Sequence, residues 1–166
     1  MTKQEFLKLL ENQIEFVFKD KNLLYTAFVH PSYANDCGVQ SYDRLEHLGD
    51  SIIDLCITDF LYSHKKNYNP QQLTEKRKQI VSKPPLSRAA DILELGKFVL
   101  VSKKQVINEK IKSDVFEALT AAIYLDSKKL HGLSKINAWL LKNLDKEIKD
   151  ALSDKIELLD KYTVDE

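Results

Sequence analysis

Two short segments concentrate the carboxylates that could do chemistry. In the first, Asp43-Arg44-Leu45-Glu46-His47-Leu48-Gly49-Asp50, Glu46 and Asp50 are four residues apart. On a helix they would lie one turn apart on one face. In the second, Asp114-Val115-Phe116-Glu117-Ala118-Leu119-Thr120-Ala121-Ala122-Ile123-Tyr124-Leu125-Asp126, Asp114 and Glu117 are three apart and again share a face. Like charges so placed destabilise a helix by roughly 0.2–0.5 kcal/mol, which solvent or a cation must offset. Gly49 inside a helix costs about 1 kcal/mol relative to alanine, which points to close approach of another backbone. Ala118, Ala121 and Ala122 give the second segment a small-residue surface that could receive it. If the two surfaces meet, four carboxylates converge. Oxygen-only ligands suit Mg²⁺ or Mn²⁺, and such ions serve phosphodiester hydrolysis by activating water and stabilising charge on the phosphate and leaving oxygen. Taken singly, each pair also reads as a solvated acidic face.

The elements that must position these groups are helices. Thr2 and Glu5 fit a capping box opening a helix of about 3–16. Asp20 can cap a helix of about 21–29, closed by Pro31. Residues Pro31 to Ser41, with Asn35, Asp36 and Gly38, read as a loop. A long helix follows from about Tyr42 to Lys65, striped by Leu45, Leu48, Ile52, Leu55 and Phe60. Asn69-Pro70 opens a helix of about 71–82, and Pro84-Pro85 starts another that Gly96 ends. Residues 97–112 read as a loop, Ser113 as the cap of a helix of about 114–126, and residues 131–150 as a last helix. That helix carries Leu133, Ile136, Trp139, Leu140, Leu144 and Ile148 on one side. The expectation is one all-α domain over residues 1–150, packed around a long central helix, with residues 151–166 as an acidic helical extension or tail.

Composition agrees. The chain has 166 residues, 43% hydrophobic and 30% charged, with only 4 Gly and 4 Pro. These are globular, helix-favouring proportions. No apolar stretch approaches the ~20 residues that span a bilayer, so no membrane is expected. The charged N-terminus has no secretory pattern. Cys37 and Cys56 make no metal-binding spacing and suit the cytoplasm or another reducing compartment. Cys56 falls on the apolar side of the long helix, as a small buried hydrophobe would. Formal net charge is zero but unevenly spread. Residues 64–112 carry 12 Lys/Arg against 4 Asp/Glu. Such a middle either presents a cationic face to a polyanion or is a solvated helix surface.

DRLEHLGD followed some 60 residues later by DVFEALTAAIYLD resembles the signature pair of the ribonuclease III family, usually close to ERLEFLGD and DxxEALIGAIYLD. The segment Phe28 to Asn35 resembles the loop before the signature, and Leu73 to Ser82 the helix after it. The resemblance covers about residues 15–145. It implies an all-α homodimer that cuts double-stranded RNA to 5′-phosphate and 3′-hydroxyl ends, each protomer supplying one site in a shared cleft. By residue-to-residue match the catalytic and metal-binding carboxylates are Glu46, Asp50, Asp114 and Glu117, holding Mg²⁺ or Mn²⁺. Recognition would rest on A-form shape, phosphates and 2′-hydroxyls. The basic middle offers Lys76, Arg77, Lys78, Lys103, Lys104, Lys110 and Lys112 as phosphate contacts.

Departures are also visible. The usual leading Glu is Asp43, and the usual Phe, near the dimer contact in relatives, is His47. The family's Gly-rich acidic loop is replaced by Ser102 to Lys112, without glycine. Only 22 residues follow Leu144, too few for the double-stranded RNA-binding domain of many relatives. Substrate affinity is therefore expected to be weak or supplied by an accessory RNA-binding protein. His30 reads equally as a cap or packing residue and as an RNA contact, and Asp54 as a solvated group or an ion-pair partner. Trp139 and Tyr124 read as core. The alternative to an active nuclease is a non-cleaving relative serving an RNA-protein particle. Retention of all four carboxylates disfavours it.

Overall fold

A computed structural model describes residues 2–127 and 132–153. Helix-start chemistry in the sequence explains most of the order. Thr2 caps α1 (Lys3–Ile14) through a reciprocal pair of bonds with Glu5, and Glu15 ends it in a left-handed conformation at φ 52°. Asp20 caps α2 (Lys21–Thr26) by accepting from the N–H groups of Asn22 and Leu23. Pro31 does not close that helix. It opens another, α3 (Pro31–Cys37), where its missing N–H is no loss. Most of the segment expected as a loop is therefore helical. The cap is His30, whose Nδ1 accepts from Ser32 N–H at 3.0 Å, and Gly38 ends the helix at φ 66°.

The long helix is α4 (Asp43–His64). Asn69 and Gln72 form a capping box at the start of α5 (Pro70–Val81). Next comes α6 (Lys83–Ile92), which ends before Gly96 because Glu94 turns left-handed and Leu95–Phe98 tighten into a 3-10 turn. The expected loop of 97–112 holds part of that turn and a single bridge between Leu100 and Val29. Helix α7 (Glu109–Ser127) starts earlier than the sequence suggests. Asn108 Oδ1 accepts from Ile111 N–H at 3.0 Å, while the Ser113 hydroxyl donates back to the Lys110 carbonyl. The last helix divides at Leu144 into α8 (Gly132–Asn143) and α9 (Asp145–Leu152). Its expected start at 131, and residues 154–166 of the acidic tail, lie outside the described residues.

The architecture is all-α, with α7 at its centre. Val115, Phe116, Ala118, Leu119, Ala121, Ala122 and Ile123 are fully buried. Helices α4, α6 and α8 pack around it. Each large apolar side chain so enclosed contributes about 1.5–3 kcal/mol. Trp139 is core, tilted against Phe116 and donating to the Ile14 carbonyl. Cys56 is buried among the apolar residues of α4. Arg88 grips the buried Glu147 with two hydrogen bonds and fixes α9 to α6. Asp126, at the far end of α7, accepts from the N–H groups of Lys19 and Asp20 and so fixes the entry to α2. Among the described residues no helix is long and apolar enough to cross a membrane.

Candidate metal centre and nucleic-acid interface

The site begins with a missing side chain. A Cβ built on Gly49 would lie 1.8 Å from the Glu117 carbonyl oxygen. Only glycine lets α4 and α7 cross this closely, and the fully buried alanines of α7 continue the small-residue surface. The crossing brings together carboxylates that are distant in sequence. Single oxygens of Glu46, Asp114 and Glu117 lie within 4.8 Å of one another. Asp114 is 2% exposed and Glu117 8%, while Glu46 is half-buried. Asp50 is exposed on the rim, outside this group of three but close enough to act electrostatically on Glu117.

Crowding this charge raises proton affinity. Burial, and then the charges of Asp50, Asp114 and Glu46, push the Glu117 carboxyl up to about 8. Burial and Asp114 also raise Glu46. A group of crowded carboxylates, two of them buried, favours a proton or a cation. With oxygen donors only, the set fits a hard divalent ion. Two cations of the protein already attend it. Lys110 forms an ion pair with Asp114, and Lys83, at the start of α6, lowers the proton affinity of both Glu46 and Glu117. Sequence reasoning does not single out Lys83. Its one signal is its place in the basic middle, directly before Pro84-Pro85.

Beside the carboxylates lies a cavity of about 250 Å³, lined among others by His30, Tyr42, Asp43, Asn108 and Lys110. The chain is stitched together around it. His30 N–H donates to the Leu100 carbonyl, Tyr42 N–H to the Val29 carbonyl, and Ser102 N–H to Ser32 Oγ. His30 is a capping residue, and burial lowers its pKa, as suits a ring nitrogen that must stay an acceptor.

The seven candidate phosphate contacts divide. Arg77 pairs with Asp54 at 2.9 Å, which settles Asp54 as an ion-pair partner. Lys112 pairs with Asp91, Lys76 donates to the Ala151 carbonyl, and Lys110 faces the carboxylates. Lys78, Lys103 and Lys104 are exposed and have no ion-pair partner among the described residues. His47 is exposed on α4 and lines an open groove of about 910 Å³, with Leu23, Leu45, Leu48 and Leu125 as its apolar floor.

The family model for ribonuclease-III-like proteins matches residues 20–144. The chain belongs to the ribonuclease III-like family. Ribonuclease 3 of Clostridium tetani is 38% identical over 162 residues, covering 94% of this chain and 67% of that protein. Ribonuclease 3 of Caldanaerobacter subterraneus is 39% identical over 151 residues, 87% of this chain and 64% of that protein. The chain thus spans about two thirds of the length of these relatives. The ribonuclease III fold is seen directly in the nuclease domain of ribonuclease III from Campylobacter jejuni. That structure superimposes with a TM-score of 0.76 at 29% identity, over 83% of this chain and 95% of the other. It describes flexibility in a region involved in dimer formation of that nuclease domain.

Proposed function

We propose that this chain is a divalent-metal-dependent endoribonuclease that hydrolyses phosphodiester bonds within double-stranded RNA, leaving 5′-phosphate and 3′-hydroxyl ends. The observation that carries this reading is the convergence of Glu46, Asp114 and Glu117 at the Gly49 crossing, in a chain of this family. Residues 1–150 form the catalytic domain. Glu46, Asp114 and Glu117 would hold the metal ion, with Asp50 on the exposed rim beside them. A bound Mg²⁺, or Mn²⁺ in its place, supplies charge stabilisation at the phosphate and lowers the pKa of water.

The chain's own groups do the rest. The α4–α7 crossing fixes the carboxylates before substrate arrives, so little reorganisation is needed during reaction. Glu117, whose carboxyl is raised by burial and by the neighbouring carboxylates, would be held as a carboxylate by a bound cation. Lys78, Lys103 and Lys104 contact phosphates of the duplex, read by shape rather than sequence. Water attacks phosphorus, the P–O3′ bond breaks, and a proton passes to the departing 3′ oxygen. The groove at His47 and Leu48 seats a second copy of the chain, giving a homodimer whose two sites cut opposite strands. An accessory RNA-binding protein would add to the affinity of the catalytic domain for the duplex. The two free thiols, Cys37 and Cys56, fit a reducing intracellular setting.

Incubation with end-labelled RNA, as duplex and as single strand, tests the reading. Cleavage of the duplex alone, requiring Mg²⁺ and abolished by EDTA, is the expected result. Equal cutting of single strands, or cutting that survives EDTA, would overturn it.

A further inference from the structure

Lys110 holds a position that helix energetics alone does not account for. It lies in the first turn of α7, where the macrodipole disfavours a cation. It precedes Asp114 by four residues, the less favourable order for an i,i+4 ion pair. Nevertheless its ammonium is bonded to Asp114 Oδ2. The partners differ sharply in exposure, with 58% of the lysine side chain exposed against 3% of the aspartate side chain. The lysine reaches from solvent onto a buried carboxylate. Asp114, Glu46 and Glu117 all favour its charged form.

We propose that Lys110 is a tethered counter-ion for the carboxylate group, displaced from Asp114 when a divalent cation binds, so that it sets the concentration at which the site loads. The proposal rests on the reading that Glu46, Asp114 and Glu117 bind that cation. In the metal-free protein the ammonium offsets part of the charge that burial makes costly. A dication bound by the same carboxylates and a neighbouring ammonium repel each other, so loading includes the loss of the Lys110–Asp114 pair. Most of the lysine side chain is already in solvent, and it can swing away without disturbing the core. Metal affinity is thereby lower than the carboxylates alone would give. Loading then responds to divalent-ion concentration instead of being saturated throughout.

The test is Mn²⁺ binding to the full chain without RNA, followed by electron paramagnetic resonance with Mg²⁺ as competitor. Wild type, Lys110→Gln, Lys110→Arg and Glu117→Gln are compared, each shown to be folded by circular dichroism. Lys110→Gln is expected to bind both ions about fivefold more tightly, in line with losing a half-exposed ion pair. Lys110→Arg keeps the cation and binds no more tightly than wild type, and Glu117→Gln loses binding. If Lys110→Gln binds equally or more weakly while Glu117→Gln abolishes binding, the counter-ion role is refuted and the metal site stands. If Glu117→Gln binds like wild type, the metal site itself is refuted, and the counter-ion role with it.

Discussion

Replacing Gly49 with alanine introduces one methyl group at the tightest point of the molecule. The added carbon would sit 1.8 Å from the Glu117 carbonyl oxygen, 2.5 Å from its carbon and 3.1 Å from its Cα. All three are backbone atoms of a buried helix, so no side chain can rotate out of the way. Ordinary contact requires the helices to part by about 1.5 Å at the crossing, given C···O packing distances above roughly 3 Å. Forcing a methylene into a well-packed core costs typically about 1–3 kcal/mol, and a backbone clash belongs at the upper end or beyond. Alanine recovers about 1 kcal/mol of helix propensity. The net expectation is a destabilisation of about 2 kcal/mol, measured by urea denaturation of the metal-free protein. The displaced atoms belong to Glu117, so Mn²⁺ affinity should fall at least tenfold in the same variant. Unchanged stability with unchanged metal affinity would refute the close crossing as the device that builds the site.

Three further outcomes follow from named groups. The Glu117 carboxyl is raised from 4.5 to about 8, so the stability that its proton carries is present at acid pH and is lost as pH rises through about 8. At roughly 1.4 kcal/mol per pKa unit, metal-free Glu117→Gln should be more stable than wild type by up to a few kcal/mol at pH 9 and scarcely at all below pH 5. A constant difference across pH would contradict this. His30 has a lowered pKa, chiefly through burial, so the stability from its cap is present above the ordinary histidine value and is lost as pH falls through the depressed one. His30→Asn, which keeps an acceptor, should erase that acid-side weakening, worth about 0.5–2 kcal/mol, as read from melting curves between pH 7 and 4.5. Charge reversal at Lys78, Lys103 and Lys104 should weaken binding to all duplexes alike and make the log–log salt slope shallower by roughly 0.9 for each phosphate that is no longer neutralised. Fluorescence anisotropy at two salt concentrations measures it, and an unchanged slope would show these lysines to be a solvated face.

Much of the site is legible in the sequence because its parts are local patterns. Glu46 with Asp50, and Asp114 with Glu117, declare themselves by helical spacing, and Gly49 marks a crossing that the structure places against Glu117 itself. The capping box at Thr2 and the Asn69-Pro70 pair announce two helix starts for the same reason. Sequence and structure part where a residue fits two tasks or where partners are remote. Helix α3 escapes the sequence pattern because Pro31 reads as the end of the preceding helix, whereas it is the first residue of the next. The start of α7 reads too late because Ser113 resembles a cap, while Asn108, five residues earlier, is the one used. Nothing local announces Asp54, Ala151 or Asp91 as the partners of Arg77, Lys76 and Lys112, because each lies far away in sequence. Lys83 comes to the carboxylates only through the packing of α6 on α7.

If the carboxylates at the α4–α7 crossing perform metal-dependent cleavage of duplex RNA, removing one charge there must stop the chemistry and spare binding. Single-turnover cleavage of a labelled duplex by wild type and by Glu117→Gln, at millimolar Mg²⁺ and with duplex binding measured in parallel, tests it most directly. Duplex binding within a few-fold of wild type is expected, with cleavage slowed by at least about a hundredfold, the order seen when a group that stabilises transition-state charge is removed. Near-normal turnover by Glu117→Gln would contradict it.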